Sequence, residues 1–217
     1  RSNRDLVYFS VKRSLDLVVS ITLLILISPL FLFIALSIKV SSGKGQVFYK
    51  GIRASKGAGT FHLFKFRTMV HDAEKIGGPS TAINDSRLTT IGRFLRKYKL
   101  DELPQFLNVI MGDMSLVGPR PQVLDYTNKY TGEELIILDV LPGITDLASL
   151  YFLDMDSTLG AVNVDEVYRT EIEPVKNRLR VQYVKSRSLL LDSRILIETF
   201  FSLFGIRGIT NLKFNIE

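Results

Sequence analysis

From Leu17 to Ile38 the chain carries no charged side chain, and Ser28-Pro29 sits in the middle of that run. About 20 apolar residues suffice for a helix to cross the ~30 Å hydrocarbon layer of a bilayer, so this stretch demands an apolar environment of its own. Pro29 has no backbone donor and crowds the carbonyl of Ile25, which predicts a bend. The Ser28 hydroxyl is placed to satisfy carbonyls freed there. Each half, roughly 11 or 12 residues, would be about 17 Å long as a helix and too short to cross alone. Both flanks are basic, with Lys12 and Arg13 before the run and Lys39, Lys44, Lys50, Arg53 and Lys56 after it. Positive charge favours the cytoplasmic side. A helical hairpin that enters and leaves one leaflet meets both constraints; a kinked span is the alternative. The run is too long for a signal peptide, and no A-x-A-like site follows.

The rest of the chain has the mass to bury a core. Its formal charge of +6 suits an anionic partner, whether nucleic acid, an acidic membrane or a phosphorylated substrate. With no Cys, disulfides and thiolate metal sites are excluded, and only His62 and His71 supply imidazoles. Gln46 to Tyr49 begins a strand, Lys56 to Thr60 is a hairpin loop, and Phe61, Leu63, Phe64 and Phe66 favour a second strand. Met69 to Ile76 reads as helix ending at Gly77-Gly78-Pro79. Ile91 to Lys99 reads as a short basic helix. Asp101 opens another through Met111, with Leu103, Phe106, Leu107 and Ile110 inward. Gly118-Pro119-Arg120-Pro121 and Pro142-Gly143 are turns. Asp165 to Ser186 is helical with an interruption at Pro174. Leu189 to Phe204 sets Asp192, Arg194 and Glu198 against an apolar face, and so belongs in the core or at a membrane interface.

Several residues are suited to phosphate chemistry, each with a plainer role beside it. Asp101 and Glu102 at a helix start are good capping residues; the same placement sets two carboxylates by N–H groups that attract phosphate. A carboxylate approaches a phosphoanhydride only if cations intervene, and magnesium held by carboxylate and diphosphate oxygens meets that need. Lys65 and Arg67 alternate, so on a strand they share a face. Arg120, rigid between Pro119 and Pro121, loses little entropy in gripping a phosphate. Gly112 reads as the helix C-cap beside Asp113.

Lys12-Arg13 with Asp16, Ser28-Pro29, Lys65-Phe66-Arg67-Thr68-Met69, Asp85 with Arg87, Gly92-Arg93 and Leu100-Asp101-Glu102-Leu103-Pro104-Gln105 together resemble the monotopic phosphoglycosyl transferases, or bacterial sugar transferases. So do Asn108, the run from Gly112 to Pro121, and Pro142-Gly143-Ile144-Thr145. The resemblance implies an α/β, helix-rich catalytic domain over residues 42–217 with an amphipathic C-terminal helix, and a re-entrant membrane helix over residues 1–41 broken at Ser28-Pro29. It implies Asp101 as nucleophile, Glu102 as its catalytic partner, and magnesium close by. It also implies Lys65, Arg67, Arg87, Arg96 and the Pro119-Arg120-Pro121 turn as substrate contacts. The substrates would be a UDP-sugar and a polyprenyl (undecaprenyl) phosphate, with UMP leaving, at the cytoplasmic face of a bacterial inner membrane. No nucleic-acid partner is expected; the C-terminal helix permits a homodimer. The family commonly continues Pro-Gly-Ile-Thr with Gly and then Gln-Val-x-Gly-Arg. Here Asp146-Leu147-Ala148-Ser149-Leu150-Tyr151 follows, so that Arg has no counterpart, and Asp146 or Asp154 is a guess at its replacement. The competing classes are a non-catalytic, membrane-anchored basic binding domain and an aspartyl-phosphate phosphatase. The second would need a D-x-D motif after a buried strand.

Overall fold

The computed structural model describes residues 3–41, 45–70, 73, 85–153 and 164–214. Helix α1 (Asn3–Leu26) and helix α2 (Ser28–Ser41) meet at a bend of 64°. The break falls where the proline demands it. The Ser28 hydroxyl donates to the Ile25 carbonyl at 2.8 Å, recovering the acceptor that Pro29 leaves without a donor. Neither helix alone is long and apolar enough to cross a membrane. Around the bend Val18, Ile21, Ile25, Leu26, Leu30, Leu32 and Phe33 are exposed, so no protein core buries them.

The two far ends of this helix pair grip the same body. On α1, Asp16 accepts from the Leu116 amide at 3.1 Å, Lys12 pairs with Asp192 at 2.8 Å, and Arg13 donates to the Val109 and Ile110 carbonyls at 2.6 and 3.0 Å. On α2, Ile34 and Ile38 are buried against Phe66 and Leu95.

Strands β1 (Phe48–Ala54) and β2 (Thr60–Phe66) form the expected antiparallel hairpin, Phe48 facing Phe66 and Ala54 facing Thr60. Helix α3 (Thr90–Lys97) is capped by the Thr89 hydroxyl, which accepts from the Gly92 amide. Lys99, left-handed at φ 55°, then turns the chain into a 3₁₀ segment, Leu100–Glu102. Helix α4 is shorter than expected, Gln105–Met111. Asp101 is not its cap: Pro104 offers no N–H, and the turns before it close through i→i+3 bonds such as Leu103 to Leu100 at 3.3 Å. Its fully buried face carries Gln105, Asn108 and Val109, while Leu103, Phe106, Leu107 and Ile110 remain partly exposed. Gly112, at φ 92°, ends α4 as expected.

Two short strands escape the sequence reading. β3 (Ser115–Val117) and β4 (Gly143–Thr145) pair in parallel, and Gly118, just after β3, touches Gly143, the first residue of β4, backbone to backbone. A Cβ on Gly143 would lie 2.1 Å from the Gly118 nitrogen, so only glycine permits the crossing. Helix α5 (Leu147–Tyr151) follows β4, capped by the Asp146 carboxylate. A helix over Val164–Val167 passes through a π-type turn, Tyr168–Ile172, into α6 (Glu173–Ser186). The interruption lies just before Pro174, which sits within the first turn of α6 where its missing N–H costs least. The main core joins Phe61 and Leu63 of β2, Val109 of α4, Leu116 and Val117 of β3, Leu147 of α5, Leu179 and Tyr183 of α6, and Ile195 of α7 (Leu189–Ser202).

Helix α7 buries Ile195 in the core together with Asp192 and Glu198, whereas Leu190, Ile197 and Phe200, with Leu203 and Phe204 just after the helix, face outward. The buried acids are satisfied: Asp192 by Lys12, Tyr8 and Tyr183, and Glu198 by the Gly208 and Thr210 amides and the Thr210 hydroxyl. Met69 forms an extended bridge with Leu88 rather than starting a helix. Val70 is not helical either, whereas Ala73 is helical and buried. Residues 71, 72 and 74–76 of that expected helix, His71 among them, its Gly77-Gly78-Pro79 stop and Asp154 lie outside the described residues.

Candidate active site

β2, the 3₁₀ segment and the turn after β3 converge on one pair of acids. Asn108 sets the approach of β2: its side-chain oxygen accepts from the Phe64 amide at 2.9 Å and its nitrogen donates to the His62 carbonyl at 2.7 Å. Held this way, β2 presents Lys65 to Glu102, with Nζ 2.7 Å from Oε1. From the opposite side Arg120 donates to Oε2 and Oε1 at 2.9 and 2.5 Å, a bidentate pairing. The Arg120 guanidinium also donates to the Ile144 carbonyl at 2.6 Å.

Pro119 and Pro121 stiffen the turn that carries Arg120. The Pro119 carbonyl accepts from the Gly143 amide at 3.0 Å, and the Arg120 amide donates to Asp146 Oδ2 at 3.0 Å. Asp146 is completely buried, and its other oxygen caps α5 through the Ser149 amide at 2.6 Å. Here it braces the turn rather than replacing an arginine. A second buried arginine, Arg180 of α6, lies 3.9 Å from Asp146 and pairs with Glu173 at 2.8 Å.

The two acids have opposite electrostatics. Burial on its own would push the Glu102 carboxyl up, but Arg120 and Lys65 outweigh it and hold the group well below the ordinary carboxylate range. Asp101 is 6% exposed and has no hydrogen bond or ion pair among the described residues. Burial raises its pKa above the ordinary value; Lys65 opposes that, and the neighbouring Glu102 charge adds to it. The result is an ionised, clamped glutamate beside a desolvated aspartate whose oxygens make no hydrogen bond among the described residues.

The other basic residues expected at the site fall into outer positions. Arg96 donates through Nε to the Thr68 hydroxyl at 3.0 Å, and its charge reaches Asp101. α3 lies close to the segment after β2 because Gly92 has no side chain; a Cβ there would sit 1.9 Å from the Thr68 carbonyl oxygen. Arg67 leaves β2 and lays its guanidinium on Gly45, where a Cβ would be 1.7 Å from a guanidinium nitrogen. No contact among the described residues links Arg67 to the acid pair. Arg87 is turned to Asp85, pairing at 2.6 Å and drawing that carboxyl down to about 2. Sequence reasoning missed the roles of Asn108 and Asp146 and the Arg180–Glu173 pair. The only advance signals were Asn108 and Asp146 themselves, a polar residue in an apolar helix and a departure from the family pattern.

The family described as bacterial sugar transferase matches residues 7–205. A UDP-N-acetylgalactosamine-undecaprenyl-phosphate N-acetylgalactosaminephosphotransferase of Aeromonas hydrophila is 33% identical over 93% of this chain and 46% of its own length. A UDP-glucose:undecaprenyl-phosphate glucose-1-phosphate transferase of Xanthomonas campestris is 37% identical over 91% of this chain and 40% of its own length. The chain thus spans less than half of these two relatives. It spans 87% of the exopolysaccharide production protein ExoY of Rhizobium meliloti, at 34% identity over 91% of this chain. With the family matched over nearly all of its sequence, the chain belongs to the bacterial sugar transferases.

Proposed function

We propose that this protein transfers a sugar-1-phosphate from a UDP-sugar to undecaprenyl phosphate, releasing UMP, in the assembly of a bacterial polysaccharide such as an exopolysaccharide. The observation that carries the reading is the unpaired, desolvated Asp101 carboxylate beside a Glu102 held by Lys65 and Arg120. The named activities of the relatives supply the substrates.

The chemistry runs in two displacements. An Asp101 oxygen attacks the phosphorus that bears the sugar, the bond from that phosphorus to the bridging oxygen breaks, and UMP departs with the electron pair. A phosphate oxygen of the lipid then attacks the same phosphorus, breaking its bond to Asp101 and regenerating the carboxylate. A desolvated carboxylate has little water to shed before it attacks. Glu102 holds Lys65 and Arg120 in place, and their charge offsets what builds on the transferring phosphoryl group. Arg96 adds a more distant cation.

Magnesium fits this donor set in part. It commonly takes one or two carboxylates, completing its shell with phosphate oxygens and water. Asp101 has oxygens to offer, while Glu102 contributes only through lone pairs left over by its two cations. No cluster of three metal-ligating side chains occurs among the described residues, so the diphosphate would complete the shell. Magnesium bound there would neutralise diphosphate charge.

The bent helix pair supports a re-entrant hairpin. Both far ends attach to one body, and the apolar bend stands clear of it. The outward Leu190, Ile197 and Phe200 of α7, with Leu203 and Phe204 just after it, suit the same interface. In this reading the acids lie at headgroup depth on the cytoplasmic face, beside the lipid phosphate.

The test is to incubate purified protein with UDP-sugar labelled in the sugar and no lipid acceptor. Label should remain on the protein and chase to lipid on addition of undecaprenyl phosphate; Asp101→Asn should retain none. Label on Asp101→Asn, or none on the wild type that nonetheless turns over, defeats the covalent route. Cysteines placed before Lys12 and after Lys44 should both react from the cytoplasmic side; labelling from opposite sides overturns re-entry.

A further inference from the structure

Among the described residues, Lys176 on α6 is a cation close enough to feel the Arg120 charge that the chemistry above leaves without employment. Its ammonium lies 4.8 Å from the Tyr168 ring centre and 5.4 Å from that of Phe152, within cation–π reach of both. It makes no hydrogen bond or ion pair among the described residues. The nearby carboxylates are already engaged: Glu173 with Arg180 at 2.8 Å, and Asp146 with the Arg120 and Ser149 amides. Burial and the charge of Arg180 both disfavour its protonated form, and Arg120 adds to that. A part-buried ammonium held by two rings, with the adjacent anions spoken for, is short of a negative partner.

Both rings are tied to the turn that carries Arg120. Phe152 follows α5, whose cap Asp146 also holds the Arg120 amide. The Tyr168 hydroxyl lies 3.5 Å from the amide of Gln122, two residues beyond Arg120. That same amide end, turned to present oxygen, accepts from Arg180 at 3.2 and 2.5 Å. Lys176, its rings and Arg120 are therefore one framed unit drawn from separate parts of the chain.

We propose that Lys176, steadied by Tyr168 and Phe152, binds the phosphate that stays with the departing nucleotide. This rests on the nucleotide-sugar reading given above and extends it to the leaving group. The aromatic rings offer a face for a pyrimidine base, and the ammonium offers a charge-assisted bond to its phosphate.

The experiment uses the full chain in nanodiscs, with UMP and uridine as calorimetric probes and UMP release as the rate assay. Lys176→Met should weaken UMP binding about tenfold, as for loss of a charged hydrogen bond. It should raise the KM for UDP-sugar comparably, leave the KM for undecaprenyl phosphate unchanged, and leave uridine binding unchanged. Lys176→Arg should recover most of the UMP affinity. Equal UMP binding by wild type and Lys176→Met overturns the proposal, as does an equal loss for uridine, which would make the lysine a packing residue. If Lys176→Met fails to fold, a folded Lys176→Arg that has lost UMP affinity overturns it instead. A wild type that neither binds UMP nor releases it fells the nucleotide-sugar reading itself, a separate outcome.

Discussion

At the bend of the helix pair, large apolar side chains such as Leu26 and Phe33 stand about two-thirds exposed, at 70% and 66%; at the acid pair, Asp101 is only 6% exposed. Each region holds its side chains where water-based rules would not leave them. At the bend, in the proposed re-entrant arrangement, the violation would be relieved from outside, by a lipid phase that accepts apolar surface. At the site it is relieved from within for Glu102, by Lys65 and Arg120, whereas at Asp101 Lys65 and Arg96 oppose the cost of burial without cancelling it. In the proposed mechanism, desolvation that partners outweigh gives structure, and desolvation they leave in excess gives reactivity.

The sharpest way to break this comparison is to exchange the roles of the two acids. Asp101→Asn should cut UMP release by roughly a thousandfold or more, as expected when a nucleophile is lost. The same substitution should raise the thermal midpoint at neutral pH, because a buried, unpaired charge is removed. Glu102→Gln should do the reverse to stability. It strands two largely buried cations and should cost about 2–3 kcal/mol in denaturant melts, with activity down about a hundredfold. A stabilised Glu102→Gln, or a destabilised Asp101→Asn, would show that the clamp and the reactive group are wrongly assigned.

The pH dependence carries the same contrast. Glu102 has its pKa lowered in the folded protein, so it contributes stability above the ordinary carboxylate range, lost as pH falls through its folded value. Asp101 has its pKa raised, so its contribution is fully present below its unfolded value and is lost as pH rises through its folded value. The proposed first displacement needs Asp101 ionised. The acid limb of the UMP-release profile should therefore fall above the usual aspartate range, while Glu102→Gln, losing a neighbouring negative charge, should move that limb to lower pH. A limb at the ordinary aspartate value would remove the desolvation argument.

How much of this was legible in advance follows from range. The bend at Ser28-Pro29, the Gly112 cap, the β1–β2 hairpin and the basic helix before the acids are local, and residue type with spacing specified them. The basic flank was legible only as charge. Lys12 and Arg13 read as topology signals, yet they are bound to Asp192 and to the α4 carbonyls, partners far along the chain. The β3–β4 pair was hidden because its strands are short and its decisive contact is glycine against glycine. For α7, amphipathicity reports two faces but not which one a neighbour can satisfy, so the sequence leaves core and interface open. At the site, the acids and Arg120 were readable as residues, while the clamp joining them depends on β2 being set by Asn108, a contact across |i−j| = 44.

The smallest expected effect tests the other side of the comparison. Leu32 is 60% exposed in α2, whereas Phe66, at 1%, stacks with Phe31 and Phe48 where α2 meets the catalytic body. Phe66→Ala opens a cavity in that contact and should cost about 3–4 kcal/mol. Leu32→Ser touches no core and should shift denaturant stability by less than about 0.5 kcal/mol in detergent. It removes apolar surface from the part of the chain offered to lipid, however, so vesicle co-sedimentation should fall about threefold to tenfold for a loss of 1 kcal/mol or so of transfer energy. A Leu32→Ser protein that sediments like wild type would mean that the bend is covered by protein rather than lipid. The two kinds of desolvation would then no longer divide between these two regions.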